Sequence, residues 1–104
     1  MYKQCLREAS AQELAQPRKL KVFLGAVGNP DRGQDPSRPP FGVVRKTVRA
    51  STLAEASSLC RQYIVDNDLG GGNWAAVEVR EDVTCELVAT VSYNGRVWIP
   101  VGGA

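Results

Sequence analysis

The stretch Asp68-Leu69-Gly70-Gly71-Gly72-Asn73-Trp74 sets three glycines before an amide and an indole. Consecutive glycines suit a phosphate cradle, because bare backbone amides can close on an anion. Chain order argues against that use here. A phosphate loop runs strand, glycines, helix, whereas these glycines follow a helical pattern and precede a strand pattern. The C-terminal end of a helix repels an anion, and no Lys-Ser/Thr pair follows the glycines. The stretch reads instead as a helix terminator. Asn67 or Asp68 takes the left-handed position, Leu69 folds back on the last turn, and the glycines reverse the chain.

Nucleophilic catalysis would draw on Cys60, Cys85 or Ser92. The 104 residues contain no histidine, which removes the commonest general base and metal ligand. Lys3, Lys19, Lys21 and Lys46 lie in basic surroundings, and Glu78 and Glu86 flank one turn as a solvated pair. Neither glycosidase nor metal-ligand spacing is visible. No catalytic residue, metal or cofactor is assigned.

Two groups suit binding. Asn73, Trp74, Tyr93, Arg96 and Trp98 form a polar-aromatic set. Aromatics beside an arginine are favoured in ligand pockets and interfaces, and equally ordinary in a small core. Arg45, Lys46 and Arg49 form a basic row that can meet phosphates. The same row can discourage edge-to-edge strand pairing, and that reading is preferred, so nucleic acid is not an expected partner. Arg32 and Arg38 lie in the loop "GNPDRGQDPSRPP" over 28–40, read as solvated.

The elements that would position these residues follow from periodicity. A short helix is expected within 2–16, ending before Pro17, unless this segment is a loose arm. Strands are expected over 20–27, with both faces partly apolar, and over 41–50, with Val44, Val48 and Ala50 inward. Thr52 and Glu55 have capping-box spacing. Leu53, Ala56, Leu59, Cys60, Tyr63 and Ile64 then keep one helical stripe to about Asn67. Further strands are expected over 74–80, 85–93 and 96–99, with Cys60 and Cys85 as core thiols. The fold class is α+β: a mainly antiparallel sheet of about five strands, one principal helix packed on it, and a short N-terminal helix. Residues 1–19 read as helix or arm, and 20–104 as a single domain.

Asn94-Gly95 signals a tight hairpin. A two-residue turn would pair Tyr93 with Arg96 and Val91 with Trp98, placing Trp98 on the Tyr93/Val91 face. Val88, Val97 and Ile99 would then share the other face. An apolar patch of that kind is seldom left bare, so either the N-terminal helix or a second subunit should cover it. This points to a homo-oligomer.

Residues 1–50 carry a net charge of +6 and residues 51–104 a net −4. That asymmetry suits two solvated faces, an acidic partner or contact between copies. The three cysteines have neither disulfide-framework nor zinc spacing. "MYKQCLREAS" lacks the apolar core of a secretory signal, and no apolar run reaches membrane-spanning length. A cytoplasmic protein with no membrane partner is expected.

"KVFLGAVGNPD" at 21–31, "STLAEASSLCRQYIVDNDLGGGNW" at 51–74 and "VSYNGRVW" at 91–98 resemble a group of small uncharacterised bacterial proteins. These share an Asn-Pro-Asp loop, a helix ending in Leu-Gly-x-x-Asn-Trp, and a terminal Tyr-Asn-Gly-Arg hairpin. The size also resembles products of integron gene cassettes. The resemblance covers about residues 20–99 and implies a compact α+β domain. It implies no activity, cofactor or site. The expected function is therefore a non-enzymatic oligomeric binding or interaction module. The alternatives are a small-molecule binder with an aromatic/arginine pocket, and nucleic-acid binding through the basic strand.

Overall fold

Short alternating runs and one 3.6-periodic segment give two layers, described for residues 5–40 and 42–101 in a computed structural model. The strands are β1 (Leu6–Glu8), β2 (Leu20–Leu24), β3 (Lys46–Ala50), β4 (Val77–Glu81), β5 (Leu87–Val91) and β6 (Val97–Pro100). The helices are α1 (Ala11–Ala15) and α2 (Leu53–Asp66). One sheet takes the order β1-β6-β5-β4-β2-β3, with every neighbouring pair antiparallel. β3 and β4 flank β2, so the connection between them crosses over it and lays α2 on the sheet. The α+β class is as expected, with six strands in place of about five.

The sixth strand comes from the N-terminal segment. The helix expected within 2–16 is confined to Ala11–Ala15, and residues 2–4 lie outside the described residues. Ser10 and Glu13 make the capping box there. Arg7 grips both oxygens of Glu13 at 2.6 Å, tying β1 to α1. That hydrogen bond, helped by the Ser10 amide, holds the Glu13 carboxyl down at about 2.

α2 buries Leu53, Ala56, Cys60, Tyr63 and Ile64 against Leu20, Val22, Val79, Ala89 and Val91. Thr52 accepts from the Glu55 amide as its spacing requires, but the Glu55 carboxylate reaches back to the Ser51 amide rather than to Thr52. At the other end Leu69 N–H donates to Ile64 C=O at 3.0 Å and Asp68 N–H to Val65 C=O at 3.2 Å. With Asp68 at φ 51 and Leu69 buried, this is a Schellman termination. A Cβ in the left-handed region is strained. Asp68→Gly is therefore expected to stabilise the protein by about 0.5–1 kcal/mol in urea denaturation; a loss of stability would contradict the assignment.

Four strands are shorter than their patterns, β4 among them because residues 74–76 stay outside it. β2 stops at Leu24 and β3 starts at Lys46. Val44, expected inside, is 72% exposed, and Phe41 lies outside the described residues. β5 starts at Leu87, which leaves Cys85 in the preceding turn at φ 63 and exposed, not in the core.

The hairpin corrects the expected register. Val91 pairs with Val97 and Thr90 with Trp98. Ser92 N–H donates to Arg96 C=O, and Gly95 N–H to Ser92 C=O. The loop is thus three residues, Tyr93-Asn94-Gly95, with Gly95 alone at positive φ, +88°. One residue of slip exchanges the faces. Val97 goes inside at 3% exposure, Ile99 packs on the core, and Trp98 moves to the opposite face.

Candidate functional site

α1 and α2 touch each other on the same side of the sheet, and Leu14 of α1 packs against the core. The other side of the sheet is open. Directly paired residues share a face, so the open side can be read across the strands. Arg49, Lys21, Arg80 and Leu87 are successive partners on β3, β2, β4 and β5. Glu78, Thr90, Trp98 and Glu8 form a second such row, and Pro100 pairs with Leu6. The face therefore has a basic half on β3, β2 and β4, and an apolar half of Leu87, Trp98, Pro100 and Leu6. Its apolar residues are not Val88, Val97 and Ile99: the hairpin slip turns Val97 and Ile99 inward, and a register shift between β4 and β5 at Val79/Arg80 leaves both Val88 and Ala89 inward and pairs Leu87 with Arg80.

Phe23 stands in the basic half, 40% exposed, with the Lys21 ammonium 5.9 Å from its ring centroid. Beside it runs an open groove of about 250 Å³ lined by Phe23, Gly25, Arg45, Ala76 and Glu78. A Cβ on Gly25 would come within 3.3 Å of Arg45 Cγ, so the arginine stem lies flat across the glycine. Glu78 pairs with Arg80 at 3.0 Å, and Asp82 approaches Arg49 at 3.7 Å. Lys21 and Arg45 enter none of the described ion pairs.

The expected basic row divides. Arg49 lies on the open face and Arg45 in the groove. Lys46 turns to the helix side, its ammonium 5.8 Å from the Tyr63 ring. Sequence reasoning missed Lys21, Phe23 and Arg80 as companions of this row. The signal is present in the apolar-outward Phe23, since a strand with both faces partly apolar is central or covered, and β2 is central with its Phe23 face uncovered by either helix.

The expected polar-aromatic set divides as well. Asn73 is 3% exposed and its side chain is wholly used. Its amide nitrogen donates to Val27 C=O and Gln34 Oε1, and its oxygen accepts from Gly70 N–H. Trp74 is buried and donates to Val91 C=O at 3.0 Å. Tyr93 donates to Leu69 C=O at 3.2 Å beneath the Arg61 guanidinium. These three gather round the glycine turn as structure. Arg96 lies at the hairpin edge, 4.0 Å from Glu8, in a separate groove shared with Leu14, Ala54 and Ser57. Trp98 is on the open face, its indole 3.4 Å from Ser92 Oγ.

The loop over 28–40 is folded onto the same turn. Gly28 N–H donates to Arg38 C=O, and Gln34 joins Asn29 to Asn73. A Cβ on Gly28 would collide with the Asp35 carbonyl, and one on Gly72 with the Asn29 amide. Arg38 pairs with Asp35 at 3.2 Å.

Cys60 is buried, and burial pushes its thiol up to about 12. Cys5 and Cys85 are exposed, and Lys21 Nζ lies 2.9 Å from Cys85 Sγ. A disulfide reagent near neutral pH is expected to titrate two thiols in the native protein and the third only after denaturation. Three equally fast thiols would contradict this. Among the described residues no group of carboxylates and thiols is placed to hold a metal ion, and no helix is long and apolar enough to cross a membrane.

The chain thus defines a two-layer α+β architecture with one covered and one open sheet face. Comparison with protein-family models, with curated proteins and with solved structures returns no match.

Proposed function

We propose that the protein is a non-enzymatic binding module that acts as a homo-oligomer in the cytoplasm. One observation carries this reading: both helices pack on the same side of the sheet, so among the described residues no helix covers Leu6, Leu87, Trp98 and Pro100. Of the two ways to protect an apolar face, an N-terminal helix or a second subunit, the first is used elsewhere. Leu6 is 44% exposed and Trp98 is half-buried, as expected of residues that finish their burial in a partner. Glu8 and Arg96 rim this half and supply both signs of charge for a self-complementary contact. The free thiols suit a reducing compartment. The non-enzymatic part rests on the missing histidine and on the inert, buried Cys60.

The test is gel filtration with light scattering. The expected mass is at least twice the 11.3 kDa of one chain, returning to one chain in Trp98→Glu. A monomer at micromolar concentration in the unaltered protein would overturn the reading.

A further inference from the structure

The basic half of the open face has its own chemistry, and it does not suit a second copy of the chain. Pairing it with itself would oppose like charges. β2, β3 and their flanks contribute Lys21, Arg45 and Arg49 to it and place Arg18, Lys19 and Lys46 around it, with no carboxylate among residues 17–27 or 42–50. β4 and its turn bring Glu78, Glu81 and Asp82 opposite them, and these are engaged with Arg80, Arg18 and Arg49. The surplus is positive on a chain whose net charge is only +2. A surface that only needed to repel neighbouring edges would end there. This one also holds an exposed aromatic ring at its centre, with Arg45 across a shallow groove.

We propose that single-stranded nucleic acid binds across β3, β2 and β4, with one base stacked on Phe23 beside Arg45 and with Lys21 and Arg49 meeting the phosphates. Three observations converge. An open antiparallel sheet face with an outward aromatic is a platform on which an unpaired base can stack. The groove of about 250 Å³ admits one planar ring, given that an engineered cavity of roughly 150 Å³ takes benzene. Gly25 and Ala76 are among its lining residues, and the Arg45 stem lies against Gly25, where a side chain would displace it. Glu78 lies on the groove wall with one carboxylate oxygen on Arg80. Its other oxygen can accept from an exocyclic amino group such as that of cytosine. A duplex would not reach the ring, because its bases are already stacked.

This inference uses the same open face as the proposed self-association but not the same half, and the two can fail separately. Light scattering reads the apolar half. Fluorescence anisotropy of a short labelled oligo(dT) or oligo(dC) reads the basic half. Binding is expected at low salt, weakening roughly twenty- to fiftyfold between about 50 and 200 mM as three to four phosphates are neutralised. Phe23→Ala is expected to weaken it roughly tenfold or more, and Phe23→Tyr to preserve it. Both variants should melt with the unaltered protein, since Phe23 is outside the core. Absence of binding at low salt would overturn the proposal. So would binding indifferent to Phe23→Ala, or binding displaced equally well by inorganic polyphosphate, either of which would mark a polyanion surface only.

Discussion

Trp74→Ala is expected to remove about 3–5 kcal/mol of folding stability, and Trp98→Ala less than about 1.5 kcal/mol. The two residues are the same chemically and were expected to share one cluster. Their settings are opposite. Trp74 is buried, its ring lies 6.4 Å from that of Tyr63, and its indole N–H satisfies the Val91 carbonyl at the end of β5. Truncation there opens a cavity and orphans a buried acceptor, two costs that add. Trp98 faces outward beside Thr90, so its loss uncovers area without leaving a void. A small domain is held by about 5–15 kcal/mol in total. Trp74→Ala therefore brings the protein near the point of unfolding, and Trp98→Ala leaves it folded. Urea denaturation with a common slope measures both. Equal losses would mean that Trp98 is a core residue and that the hairpin is paired in the two-residue-turn register, Val91 with Trp98. Trp74→Phe separates the terms, since it keeps the ring and drops the N–H; its expected loss is about 1–3 kcal/mol.

The contrast shows what local sequence can and cannot specify. α2, its stripe and its end at Asp68-Leu69 are legible because each depends on residues within five positions of one another. The inward faces of β2 and β4 are legible for the same reason, through alternation. Asn94-Gly95 marks a turn but not its length. Both residues must take positive φ in the two-residue form, whereas the three-residue form needs it only at Gly95. Here Asn94 instead accepts from Ser92 Oγ and from Arg96 N–H, which steadies the longer loop. The inside position then goes to Val97, opposite Val91. That single residue of register moved Trp98 across the sheet and dispersed the expected aromatic set. β1 was illegible for a different reason. Leu6-Arg7-Glu8 has no β pattern and all three residues are exposed, so it is a strand only because β6 offers it an edge. Lys21, Phe23 and Arg80 were each readable, but their adjacency exists only once β2 lies between β3 and β4.

Asn73→Ala is expected to cost about 2–4 kcal/mol, although its residue type and its place beside Trp74 also suit a ligand group. Its amide joins three segments: the stretch after β2 through Val27, the 28–40 loop through Gln34, and the glycine turn through Gly70. Among the described residues no other polar residue is buried in the core, so no neighbour is available to take over these bonds. Removing the side chain leaves a donor and two acceptors facing a small void. Their reunion with water requires the loop to lift, and the close approach of Gly72 to Asn29 would be lost with it. Asn73→Asp sharpens the point. A carboxylate would present oxygen to Val27 C=O and Gln34 Oε1, where the amide nitrogen now donates. It should therefore be more damaging than Asn73→Ala near neutral pH and recover in acid, where the protonated group can donate one bond again. The sign follows from linkage: repulsion and burial raise the carboxyl pKa in the folded state, so stability is lost as pH rises through that value. Denaturation midpoints of the two variants across the acid range measure this. Parallel pH profiles for Asn73→Ala and Asn73→Asp would mean that the side chain at 73 has reached solvent and that the junction is not the rigid element holding the loop to the sheet.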